Sequence, residues 1–231
     1  MTWTIGSALR MIFAVLRDNF GPFFTTSLVL CAPVLAVDLF DGGIVATLLV
    51  VVAATVLVTL CLSFGTLQAL SGARPDFSSL IRHVNRPGSG KLILLGSVQS
   101  LVIGFGLLLV VPGLYVLCLW MVALPAMIVE HTTVGHALNR SAHLTQERRW
   151  HVLGVVVACV LIAAIPLAVI DYIIFDEMLD VAPESTADSI LSWLMEAAFV
   201  TVLGILPTVL YVFLRGEKER TTLPQIITNL D

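Results

Sequence analysis

Polar and apolar positions follow two rhythms along this chain. In the first, long stretches carry no charge: 19–37, 42–73, 92–129 and 150–170, with a fifth at 189–214 interrupted only by Glu196. A helix crossing the hydrocarbon core needs roughly 20 apolar residues at a rise of about 1.5 Å each. Each stretch is therefore long enough for a span, and 92–129 is too long for one. Pro112-Gly113 divides it near the middle, as a tight turn would. The pattern predicts six spans, at about 21–38, 44–70, 92–111, 113–130, 151–171 and 190–213.

In the second rhythm, apolar residues recur at helical spacing with polar residues on the opposite side. Ile5, Ala8, Leu9, Ile12, Phe13 and Leu16 form one such stripe, opposite Ser7, Arg10 and Arg17. Phe77, Leu80, Ile81 and Val84 repeat it before the third span, and Val134, Ala137, Leu138 and Ser141 before the fifth. Thr4, Asp76 and Thr133 stand where an N-cap oxygen would meet orphan backbone N–H groups. These segments are expected to be amphipathic helices at the membrane interface. Thr4-Ile5-Gly6-Ser7-Ala8-Leu9 aligns without gaps with Thr133-Val134-Gly135-His136-Ala137-Leu138, and Pro33 and Pro166 each precede an aspartate by five residues, Asp38 and Asp171. Three parallel repeats of interfacial helix plus hairpin are expected, at 4–73, 76–130 and 133–214, within a single membrane domain 1–231 whose tail is 215–231. The fold class is all-α: a polytopic membrane bundle of six transmembrane helices with three interfacial helices.

Charge orients this bundle. All 12 Lys and Arg residues fall in four segments on one side of the spans: Arg10 and Arg17; Arg74, Arg82, Arg86 and Lys91; Arg140, Arg148 and Arg149; and Arg215, Lys218 and Arg220. The other side carries Asp38, Asp41, Asp171, Asp176, Glu177, Asp180, Glu184 and Asp188 and no basic residue. Short loops rich in Lys and Arg stay cytoplasmic, so the chain is expected in the cytoplasmic membrane with both termini inside. With 58% hydrophobic residues, 12% charged and a mean hydropathy of +1.00, composition excludes an ordinary soluble domain, in which about 25% of residues are charged. Membrane lipids are the expected partners, together with a membrane-protein partner, and no nucleic acid is implied.

Soluble-enzyme chemistry finds no foothold. Gly88-Ser89-Gly90-Lys91 imitates the end of a phosphate-binding loop, but Asn85 replaces its first glycine and Leu92 its metal-binding hydroxyl. Cys31, Cys61, Cys118 and Cys159 all lie in predicted spans at irregular spacing, as small apolar packing residues do. The apolar run ending at Val34-Leu35-Ala36 is preceded by too long and too patterned a region for a signal peptide. No catalytic, cofactor or metal-binding residue is assigned. The candidates are polar groups in or beside the spans. Glu196, Asp171 and Gln99 form a candidate intramembrane polar site, since a charge in lipid must find a partner or a proton; Gln99 is expected to bond to another helix. Glu130, His136, Arg140, His143, Arg148 and Arg149 are candidates for contact with lipid phosphates or a neighbouring helix, and Glu130 is expected to bond to Arg140 or to the N-terminus of the helix that carries it. Pro33, Pro125, Pro166 and Pro207 leave backbone carbonyls free inside spans.

Pro112-Gly113-Leu114-Tyr115, Ala123-Leu124-Pro125-Ala126 with Glu130, Ala137-Leu138-Asn139-Arg140-Ser141, Leu144-Thr145 and Trp150 with Leu153-Gly154 together form one signature. It resembles the membrane domain attached to some bacterial glycerophosphoryl diester phosphodiesterases and the related stand-alone bacterial membrane proteins of unknown function. Ile5-Gly6 through Asn19-Phe20-Gly21-Pro22, and Leu210-Tyr211 with the basic stretch after it, fit the same family. The resemblance implies a six-helix bundle rather than an activity, because the phosphodiesterase proper needs a metal-binding barrel and little chain follows residue 213. A non-enzymatic protein that organises or senses the membrane or a partner is the expected function. The alternative is a small transporter or channel for an ion, small solute or lipid, with Glu196 as its working residue.

Overall fold

The computed structural model describes residues 4–40, 43–84, 89–173, 186–219 and 225. In chain order its helices are α1 (Ile5–Asp18), α2 (Phe20–Leu39), α3 (Gly43–Leu70), α4 (Phe77–Val84), α5 (Ser89–Leu107), α6 (Val111–Trp120), α7 (Ala123–Glu130), α8 (Val134–Thr145), α9 (Arg149–Tyr172) and α10 (Thr186–Glu219). No strand occurs among the described residues. Away from water an α-helix satisfies every backbone N–H and C=O within one segment, so the uncharged stretches become helices. Six segments are long and apolar enough to cross a membrane: α2, α3, α5, α6 with α7, α9 and α10. The protein is a multi-pass membrane protein.

The turn between the third and fourth spans lies earlier than Pro112-Gly113 suggests. The chain leaves α5 at Leu107, and Val110 takes a positive φ of 54° before α6 begins at Val111. Pro112 falls in the first turn of α6, where a missing N–H costs nothing because no intrahelical acceptor awaits it. Gly113 serves packing instead: a Cβ added at Gly106 would lie 2.8 Å from the Gly113 Cα, so α5 and α6 meet backbone to backbone. The fourth span is itself broken at Met121 and Val122. Pro125 has no N–H to offer the Met121 carbonyl, and its ring crowds that carbonyl.

α10 is the axis of the bundle, packed against α1, α2, α3, α7, α8 and α9. Its 34 residues extend roughly 50 Å at about 1.5 Å each, well past the ~30 Å hydrocarbon core. Gly204 lets it approach α3, where an added Cβ would sit 2.9 Å from Leu62 Cδ2. Ser27 and Thr201 bind α2 to α10 through a buried hydrogen bond of 2.8 Å. Large apolar side chains that stay exposed, such as Ile44, Leu48, Leu108 and Ile165, are what a lipid-facing surface presents.

The three helices outside the spans, α1, α4 and α8, adjoin the basic segments of the chain. α1 buries Ala8, Ile12 and Val15 against α9 and α10. Thr4 caps it: the Ser7 N–H donates to Thr4 Oγ1 at 3.3 Å, and the Thr4 N–H donates to Ser7 Oγ at 3.1 Å. α4 buries Leu80 against α3 and α2, and the Asp76 N–H donates to Ser79 Oγ at 3.2 Å. α8 buries Ala137, Ser141, Leu144 and Thr145 against α6, α7 and α10. Thr133 departs from expectation: it occupies the N-cap position, yet its side chain makes no capping hydrogen bond. Gly135 and His136 are exposed there, so water can serve the first N–H groups of α8. A cavity of about 850 Å³, lined by Asp18, Asn19, Arg74 and Asp76 among others, joins the α1–α2 junction to the α3–α4 junction.

Candidate functional site

Where α7, α8 and α10 converge at the basic end, five side chains close a ring. Glu130 is the last residue of α7, and the short link through His131, in the left-handed conformation, folds α8 back beside it. Arg140 on α8 thereby comes within reach: its Nε donates to Glu130 Oε1 at 2.9 Å and to Oε2 at 3.1 Å. This is one of the two bonds the sequence led us to expect. From α10, the fully buried Tyr211 donates its hydroxyl to Glu130 Oε1 at 3.0 Å and accepts from Arg215 at 2.7 Å. One turn further along α10, Arg215 also lies over the Tyr211 ring, 5.8 Å from its centroid, and its Nε donates to Glu219 Oε2 at 2.9 Å. Glu219 accepts from Arg140 as well, which completes the ring.

Electrostatics favour this closed arrangement. Burial alone would pull the Arg140 guanidinium down, but hydrogen bonds to Glu219 and Glu130 and the charge of both carboxylates leave it raised. Arg140, Glu130 and Arg215 have side chains 19%, 15% and 13% exposed. Removing one member of so little exposed a pair leaves the other unpaired, which costs up to about 3–5 kcal/mol where the pair is fully buried. Around the ring, Arg148 pairs with Glu217 and Lys218 donates to the His143 carbonyl. Ser141 donates to the Leu119 carbonyl at 2.8 Å, beside the break in the fourth span. The last turns of α10 are thus tied to α7 and α8 by side chains of both signs.

Several candidates therefore serve inside the protein. Arg140 and Arg148, candidates for lipid phosphates or a neighbouring helix, form ion pairs with Glu219 and Glu217 of α10. Arg149 donates to the Tyr115 hydroxyl at 2.8 Å and lies over that ring, 4.9 Å from its centroid. His136 and His143 remain exposed on α8. Toward the other end of the bundle, Glu196 is half-buried on α10 and within electrostatic reach of Asp38 and Cys31 on α2. Asp171 lies on α9, and its side chain is outside the described residues. Gln99 is half-buried on α5 and, contrary to expectation, makes no hydrogen bond to another helix among the described residues.

Tyr211, Arg215 and Glu219 were not singled out as site residues by sequence reasoning, although their spacing of four residues places all three along one face of α10. An open cavity of about 590 Å³ lies against the ring, lined by Val129, Glu130, His131, Thr132, Arg140, Arg215 and Glu219. Chemically the site offers two forked guanidiniums and two carboxylates. Among the described residues no group of three or more His, Cys, Asp or Glu is placed to hold a metal ion.

Residues 94–215 match the membrane domain of glycerophosphoryl diester phosphodiesterase. The matched region runs from α5 into the last turns of α10 and includes Glu130, Arg140, Tyr211 and Arg215. No curated protein and no solved structure matches the chain. Because the match covers more than half of the chain and four of the five ring residues, the chain belongs to the family of the membrane domain of glycerophosphoryl diester phosphodiesterase.

Proposed function

We propose that this protein is a non-enzymatic component of the cytoplasmic membrane, with both termini inside, that senses or organises the membrane through the basic end of its bundle. The ring of Glu130, Arg140, Tyr211, Arg215 and Glu219 carries this reading. It joins a surface helix, α8, directly to the central span, so a disturbance at the interface reaches the axis of the bundle. The one-sided placement of the 12 basic residues supports a cytoplasmic location for that end.

Hydrogen exchange of residues 211–219 in lipid nanodiscs tests the reading. Exchange is expected to change when phosphatidylcholine is partly replaced by phosphatidylglycerol, or when acyl chains are shortened. Equal protection in every bilayer would refute a sensing role.

Transport of an ion or small solute is the second reading. Three buried hydroxyls, Ser63 and Thr66 on α3 and Thr208 on α10, have no hydrogen-bond partner among the described residues, whereas Thr26, Thr59 and Thr201 bond to their own helices. Unpartnered polar groups in a core are places for water or a cation. Flux of protons or sodium into proteoliposomes, lowered by Glu196→Gln, would favour this reading over the first.

A further inference from the structure

Two guanidiniums converge on one carboxylate at the rim of the cavity beside α8. Arg140 reaches Glu219 from α8, and Arg215 reaches it through Nε at 2.9 Å from α10. The two carboxylates of the ring are not equivalent. Glu130 ends a helix buried over almost its whole length and is held by Tyr211 and Arg140, with its side chain 15% exposed. Glu219 is the last residue of α10, 28% exposed. Glu219 is the more exposed of the two and lacks the Tyr211 hydroxyl that holds Glu130, so it is the member that can leave. Its departure would leave two positive charges against one negative beside an open cavity. Thr132 lines the same cavity, and its buried hydroxyl has no hydrogen-bond partner among the described residues.

A phosphate matches that vacancy in charge and in shape, since a guanidinium fork offers two parallel N–H groups to two oxygens of one anion. Depth agrees as well. Glu130 ends a span, and α10 continues past the hydrocarbon core, which sets the cavity at the level of headgroups. We infer that Glu219 is an internal stand-in for a phosphate-bearing ligand: a phosphodiester or phosphomonoester, carried by a lipid or free in solution, enters between Arg140 and Arg215, displaces Glu219 and breaks its tie between α10 and α8. This rests on the sensing role proposed above and names what is sensed.

The test uses the full chain purified in detergent, and Glu219→Gln, which keeps the shape of the side chain but removes the competing charge. Retention of added phosphatidylglycerol is read by native mass spectrometry and binding of inorganic phosphate by phosphorus NMR line width. Glu219→Gln should strengthen one of them about tenfold, the equivalent of one charged hydrogen bond, and adding Arg215→Gln should abolish that gain. A gain for the lipid alone identifies a headgroup site; a gain for inorganic phosphate alone identifies a soluble ligand. No gain in either overturns the inference. Hydrogen exchange of residues 211–219 separates the two proposals. If it still responds to the bilayer while neither ligand gains, sensing stands without a phosphate site; if it does not respond, both are wrong. Arg215→Gln is preferred to Arg140→Gln because it leaves the two Arg140–Glu130 hydrogen bonds in place.

Discussion

Tyr211 holds Glu130 across the gap between the central helix and the end of the fourth span, its hydroxyl 3.0 Å from the carboxylate in a position with no solvent exposure. The same hydroxyl accepts from Arg215 at 2.7 Å, so one oxygen atom links an acid and a base. Tyr211→Phe keeps the ring and its packing but strands a donor on Arg215 and an acceptor on Glu130. A loss of about 1–3 kcal/mol is expected, seen as a lower thermal unfolding temperature in detergent. An unchanged midpoint would mean that water replaces the hydroxyl and that the ring is not closed.

Charge reversal tests the second link. Glu130→Arg sets a cation beside Arg215, already 3.9 Å away, and Arg140→Glu sets a carboxylate beside Glu219. Each single change should therefore destabilise strongly. Combining them restores the Glu130–Arg140 attraction but leaves both new repulsions, so recovery should be partial, with a coupling of at least about 1 kcal/mol. Losses that add within about 0.5 kcal/mol would show that the two residues do not interact.

What the sequence could and could not reveal follows from the range of the interactions. The six spans were legible because length and the absence of charge are local properties, and the Thr4 cap because its partner is three residues away. Pro112-Gly113 misplaced the turn slightly, since proline suits both a turn and the first turn of a helix, and only the Gly106–Gly113 contact decides between them. Glu130 and Arg140 were legible as a pair because one short link joins their helices. Glu219 lies 79 residues from Arg140, and no local pattern brings them together. Asp38, near Glu196 but 158 residues away along the chain, carries no local signal for the same reason.

Glycine contacts give a sharp contrast within one helix. A Cβ at Gly106 would meet the Gly113 backbone at 2.8 Å, whereas one at Gly104 meets nothing within 4 Å. Gly106→Ala should cost about 1–3 kcal/mol, as overpacking does where backbone must move. Gly104→Ala should be neutral or slightly stabilising in the same unfolding assay. Equal behaviour of the two would place α5 and α6 further apart.

The apolar stripe of α1 has two halves that the structure distinguishes. Ile12 is fully buried against the bundle, while Phe13 is 38% exposed. Ile12→Asp should lower the yield of folded protein, because a buried aliphatic side chain contributes about 1.5–3 kcal/mol and the carboxylate would have to be desolvated as well. Phe13→Asp should leave folding in detergent largely intact. The reverse order would mean that α1 docks through its other side.

Topology is the broadest prediction, since every functional reading depends on which end faces the cytoplasm. Reporter fusions after residues 88, 146 and 225 should show activity characteristic of the cytoplasm, and fusions after 42 and 182 that of the outside. Arg74, Arg82, Arg86 and Lys91 in one loop and Arg140, Arg148 and Arg149 in another hold those loops inside, since translocating them opposes the positive-inside bias. The ring strengthens it: Arg140 and Arg215 are fixed to the same two carboxylates, so their segments must emerge on one side. An outside signal at 146 with a cytoplasmic one at 225 would break the ring and the six-span arrangement together.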